Sequence, residues 1–360
     1  MPRQPIVPCL ALLLASWFTS PAHAAKIVLV AGGGTGGDGS QATQAKLDSP
    51  FGVEFDRDGN LIFVELTGHR VRRINKQGIV TTLAGTGEKG LSGDGGPAAK
   101  ATFNGMHNLA IAPDGGVFVA DTWNNCVRRI DPQSGKIATV AGTGTKGFSG
   151  DGGPAVKAEF GGIYCVSLNP DATKLYLADL DNRRIRAVDL KTGIVSTVAG
   201  NGQKGVPTDG SVATNSPLVD PRAVAVDKAG NVYVLERGGH ALRVVSPDGT
   251  IRTVVGTGKA GLSGNGGDAR QATLNGPKHL CIDHDGTVLI ADTENHVVRR
   301  YSPATGKIDR VTGIGKKGTA GIGGDPLQIE MNQPHGVFVH SDGTLYITDS
   351  SNHRILRIEK

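Results

Sequence analysis

The pattern G-x-G-x-x-G occurs six times, starting at Gly32, Gly85, Gly142, Gly200, Gly256 and Gly313. Successive copies lie 53, 57, 58, 56 and 57 residues apart. A fixed period of this length demands a repeat architecture, in which each unit buries its apolar faces against its neighbours. A single copy after a strand would suggest a loop that cradles dinucleotide phosphates. Six such sites in one chain are implausible, and no copy opens a long amphipathic helix whose N-terminus could hold a phosphate. Each copy follows a strand-like run such as TTLAG or ATVAG, continues into GDGGPAAKA or a variant, and leads to another strand. The motif therefore predicts a long crossing loop in which glycine supplies positive φ, with Asp94, Asp151 and Asp209 capping turns inside it. No nucleotide cofactor is expected.

The rest of the unit repeats as well. In the clearest copy, LAIAP, VFVAD, CVRRID and IATVAG read as four short strands separated by the turns DGG, TWNN and QSGK. Four antiparallel strands at this period predict a propeller blade. The last unit, from Met331, supplies only GVFVH, TLYIT and RILRI. Its missing fourth strand is expected from the other end, where KIVLVAGGG at Lys26 matches KIATVAGTG of the second unit. The expected fold is all-β: a six-bladed propeller of four-stranded antiparallel blades, closed by Lys26 to Ala31. Closure removes the exposed edges of an open sheet.

Residues 1–24 have the features of an export signal, namely Arg3, an apolar run from Ile6 to Phe18, and Ala22-His23-Ala24 as a cleavage site. The expected organisation is this leader followed by one propeller domain over 25–360, secreted or periplasmic, with no membrane-spanning segment in the mature chain and a monomeric state. The chain has 38 basic and 33 acidic residues, and Arg3 is the one charged residue of the leader, so an excess of four positive charges remains. These charges are spread evenly, without the basic stripe of a nucleic-acid binder. The three mature cysteines, Cys126, Cys165 and Cys281, lie in strand-like runs and read as small buried hydrophobes, with one disulfide plus a free thiol as the alternative.

The segments DTENHVVRR at 292 and DSSNHRILR at 349 carry the core of the NHL repeat, which this chain resembles along its mature length. DTWNNCVRR at 121 and DLDNRRIRA at 179 are close variants, whereas ELTGHRVRR at 65 and ERGGHALRV at 236 substitute Glu and Gly. The resemblance implies a six-bladed propeller and leaves the function open, because propellers host many unrelated activities. The repeated Asp and Arg, and the histidines at 69, 240, 296 and 353, read as framework.

Functional residues should break the repeat. At the entry to each innermost strand, SPFGV, GMHNL, GIYCV, DPRAV, GPKHL and QPHGV place Phe51, His107, Tyr164, Arg222, Lys278 and His335 around the channel rim. No packing rule demands this mixture. Two histidines should flank Phe51, with Tyr164, Arg222 and Lys278 opposite. Topology puts seven histidines, at 69, 107, 240, 279, 296, 335 and 353, on the mouth face, and His284 and His340 on the other. Imidazoles with a cationic arc suit an anionic ligand, or a metal with an anionic substrate. GMHNL and QPHGV also resemble the P-H-x-[LI] entries of peptidyl-hydroxyglycine lyases. That resemblance implies a divalent metal such as zinc on His107 and His335; no matching motif places a third histidine, and His279, one residue along from Lys278, is the candidate for it. Streptogramin lyases are a related comparison. Two readings follow: an exported propeller binding a peptide, glycan, protein or small anionic molecule at the mouth, or a metal-dependent lyase or hydrolase there.

Overall fold

The computed structural model describes Met1 and residues 25–359. The expected leader lies, apart from Met1, outside the described residues. Six antiparallel sheets stand in sequence around a central channel. The second blade shows the plan: strands Asn108–Ile111, Val117–Asp121, Cys126–Ile130 and Ile137–Ala141 pair in order from the channel outward. The three inner strands of the blades are almost wholly buried, because each sheet packs between two neighbours. Their Val, Ile, Leu and Ala side chains fill the spaces between blades.

The ring closes as the sequence predicts. Lys26–Gly32 is the outer strand of the sixth blade and runs antiparallel to Arg354–Glu359, with Lys26 opposite Glu359 and Ile27 opposite Ile358. Ile27 and Ala31 are fully buried in this pairing.

Two details go beyond the sequence reading. The fourth and fifth blades gain a fifth outer strand of two residues each, Ser211–Val212 and Gly267–Asp268. Single bridges from Gln41 to Ile79, Pro97 to Lys136 and Pro154 to Ile194 do the same for the first three blades. Each crossing loop thus pads the outer edge of the blade that it enters, which shields an edge from other chains. Secondly, Asp94, Asp151 and Asp209 do not cap turns within their loops. Asp94 takes Nη2 of Arg128 at 2.5 Å and the Thr139 N–H at 3.0 Å. Asp151 holds Arg186 and the Thr197 hydroxyl, and Asp209 accepts from the Thr253 N–H. These aspartates clamp the loop to the outer strands of the next blade, a long-range role invisible in local spacing.

The glycine motif has a steric origin. Gly142 has φ +94°, and a Cβ there would lie 2.4 Å from the Asn125 carbonyl oxygen. The first glycine of all six motifs crosses a turn carbonyl in this way. The loops then meet 3-10 turns of three residues such as Ala98–Lys100 and Ala155–Lys157. No helix among the described residues is long and apolar enough to cross a membrane.

Candidate functional site

The six strand-entry residues converge. Phe51, His107, Tyr164, Arg222, Lys278 and His335, one from each blade, line a single cavity of about 320 Å³ at the channel mouth. Backbone geometry explains why they point inward. Two residues before each stands a left-handed residue: Ser49, Gly105, Gly162, Asp220, Gly276 and Gln333. In four blades the pairing register slips at the entry residue, between Pro50 and Val53, Ile163 and Cys165, Pro221 and Ala223, and Pro334 and Gly336. Such bulges re-aim a side chain out of the sheet. Three of the left-handed residues, Ser49, Asp220 and Gln333, are not glycine, and backbone strain of this kind concentrates at functional sites.

The framework histidines hold these kinks. Nδ1 of His69, His240, His296 and His353 accepts the N–H of Gly105, Gly276, Gln333 and Ser49 respectively, each in the next blade. The carbonyls of two kink residues then receive the mouth histidines. His107 Nδ1 donates to the Gly105 carbonyl and His335 Nδ1 to the Gln333 carbonyl, both at 2.8 Å. A carbonyl only accepts, so each Nδ1 carries the proton and each neutral ring keeps a lone pair on Nε2. Burial first, then the nearby cations, holds both rings well below the usual imidazole range.

Phe51 lies between the two histidines, stacked on His335 at 4.0 Å between centroids and edge-on to His107 at 5.1 Å. Opposite, the Arg222 guanidinium rests 4.3 Å over the Tyr164 ring. Arg222 is buried, and its one hydrogen bond runs from Nη1 to the Tyr164 carbonyl at 3.4 Å. Its Nε is buried without a partner, as are those of Arg72, Arg128 and Arg299, but among the described residues no carboxylate lies within ion-pair distance of Arg222. The framework arginines differ. Arg72, Arg128, Arg186, Arg243 and Arg354 reach carboxylates, and Arg299 reaches two carbonyls and Asn265. Desolvation pushes Arg222 down to about 10. Lys278 binds Glu294 at 2.6 Å, and Arg237 binds Asp220.

The structure also brings in residues that the entry-strand reading missed. Trp123, Arg237, Leu66, Ser350 and Ser351 line the mouth. They occupy the turn after the second strand, one or two residues past the repeated acid, where the sequence runs LT, TW, LD, RG, TE and SS. That turn breaks the repeat as clearly as the strand entries do.

His279 departs from its expected place. It lines a second chamber of about 170 Å³ deeper in the channel, with Glu54, Asn108, Cys165 and Cys281. Its Nε2 lies 2.8 Å from Asn108 Nδ2, and its Nδ1 accepts from the Val337 N–H at 3.3 Å. The metal expected on His107, His335 and His279 does not fit these positions. A catalytic zinc takes three protein ligands, and among the described residues no three His, Cys, Asp or Glu side chains converge. Arg222 and Lys278 also oppose a dication. The three cysteines among the described residues are free, Cys126 and Cys165 buried and Cys281 half-buried beside the chamber. His284 and His340 meet on the opposite face, where His284 Nε2 lies 3.0 Å from the His340 carbonyl.

The NHL repeat profile matches residues 331–358, and the teneurin NHL domain profile matches residues 29–92 and 190–263. The chain is 24% identical over 290 residues to Suppressor of quenching 1 of Arabidopsis thaliana, covering 78% of this chain and 27% of that protein. It is 25% identical over 339 residues to NHL repeat-containing protein 2 of Gallus gallus, covering 85% and 46%. The chain therefore spans less than half the length of these relatives. An auxiliary nutrient binding protein from Bacteroides thetaiotaomicron superposes with a TM-score of 0.68 at 14% identity, over 93% of this chain and 76% of that one. A streptogramin B lyase superposes with a TM-score of 0.55 at 12% identity, over 93% and 98%. At these identities the likeness is one of fold.

Proposed function

As an NHL-repeat propeller of six blades, the chain is, we propose, an exported binding protein that takes a small anionic ligand into its channel mouth. The observation that carries this reading is Arg222. A buried guanidinium with no carboxylate partner costs several kcal/mol of desolvation, which the Tyr164 ring and one long hydrogen bond offset only in part. A bound anion would supply the missing partner through short, charge-assisted hydrogen bonds. Lys278 stands beside it with two ammonium protons left over from Glu294. The residues 1–24 support export, and the nutrient binding role of the Bacteroides propeller supports a binding role for this shape. At about 320 Å³ the mouth is at the small end of ligand pockets, which favours a small molecule over a folded partner.

Trp123 is the one tryptophan beyond the leader and lines the mouth, so its fluorescence should report occupancy. Titration with citrate and inorganic phosphate should give a saturable change that weakens as salt rises. Arg222→Met should weaken it at least about tenfold and, because it removes a buried charge that has no carboxylate partner, raise the melting temperature. Unchanged binding in Arg222→Met, or a lower melting temperature, would show that the arginine serves the fold instead.

A further inference from the structure

The mouth has two chemically distinct poles. One is cationic and donates only: Arg222, and the free protons of Lys278. The other accepts only. Among the described residues, Nε2 of His107 and of His335 has no hydrogen-bond partner, while each Nδ1–H is committed to a carbonyl. Both poles lean on one ring, since Tyr164 lies 4.6 Å from His107 and 4.3 Å from the Arg222 guanidinium. One small molecule can therefore touch both.

Resting on the anion-binding reading, we propose that the occupant is a small hydroxylated acid of the uronic-acid class, with its carboxylate on Arg222 and Lys278 and its hydroxyls donating to Nε2 of His107 and His335. A bare carboxylate or dicarboxylate brings no donors, so its far end would leave the imidazole lone pairs unsatisfied or set oxygen against nitrogen. An ammonium group could donate to the histidines, but Arg222 and Lys278 repel it. Hydroxyl groups donate without charge and meet both conditions. Trp123 fits a sugar ring as well. One indole face packs on Gly105, where a Cβ would lie 2.1 Å from Cε3, and the residue remains 47% exposed at the rim. Sugar rings lie against exposed aromatic faces through their C–H groups, as other apolar edges do.

Calorimetric titration of the unaltered protein with three related rings tests the idea. D-galacturonate carries both features, D-galactose lacks the carboxylate, and tetrahydropyran-2-carboxylate lacks the hydroxyls. Galacturonate should bind at least about tenfold tighter than either. His335→Phe keeps a ring stacked on Phe51 but removes the acceptor, so it should weaken galacturonate by about tenfold and leave tetrahydropyran-2-carboxylate nearly unchanged. If tetrahydropyran-2-carboxylate matches galacturonate, the hydroxyl contacts are refuted and the anion reading stands. If galactose matches galacturonate, the anion reading fails and the hydroxyl contacts stand. If none of the three binds, the inference is overturned, and the citrate and phosphate titrations decide the anion reading separately.

Discussion

Glu54 shows how one side chain records the character of the channel. Its carboxylate borders the deeper chamber and accepts the Ile111 N–H at 2.8 Å, and no cation among the described residues pairs with it. Burial pushes it up to about 8. The folded protein therefore keeps a proton that the unfolded chain releases from about pH 4.5 upward, so this residue's contribution is intact below that pH and lost as pH rises through 8. Glu54→Gln mimics the protonated acid and should erase the loss. The variant should melt with the parent at pH 5 and several degrees above it at pH 9, because even half the shift amounts to about 2 kcal/mol. A constant difference across pH would mean that Glu54 is ionised throughout. At this scale the sequence revealed some roles and hid others. Phe51, His107, Tyr164, Arg222, Lys278 and His335 were legible because they depart from the repeat at one register position. Trp123 and Arg237 were missed because the turn that carries them has the local pattern of a plain connection between two strands. His279 was misplaced because one residue of register moves a side chain from the mouth to the chamber below.

Among the elements, the crossing loop is the one whose sequence most invites a wrong reading. Its glycines serve a close passage of backbone over backbone, and this predicts a graded response to a single methyl group. Gly142→Ala meets both the left-handed penalty and the Asn125 carbonyl, whereas Gly152, at φ +81°, has no atom within 4 Å of its would-be Cβ. Gly152→Ala should cost about 1 kcal/mol from strain alone, and Gly142→Ala at least about 2–3 kcal/mol. Chemical denaturation midpoints measure the difference, and equal costs would refute the crossing argument. The strands themselves were legible because alternation and turn residues are local signals. The clamps of Asp94 on Arg128 and of Asp151 on Arg186 were not, because partners 34 and 35 residues apart meet only once the blade has formed.

At the scale of the whole ring, the strongest prediction concerns the seam. Deleting residues 25–32 strips Arg354–Glu359 of its outer partner and exposes core around Ile358. The shortened protein should associate in light-scattering chromatography and melt well below the parent, and a synthetic peptide of residues 25–34 should restore both properties by strand addition. A monomer of unchanged stability would disprove the role of the seam. The closure was legible because the unpaired end of the last unit and the surplus strand at the start complete one another in sequence. The same pairing sets an order of assembly. The strand at Lys26 emerges from the ribosome before every blade, yet its partner strand, which reaches Glu359, follows all the other strands of the ring. Loss of any blade along the way would leave these two strands unable to meet, so the finished circle acts as the molecule's own test of completeness.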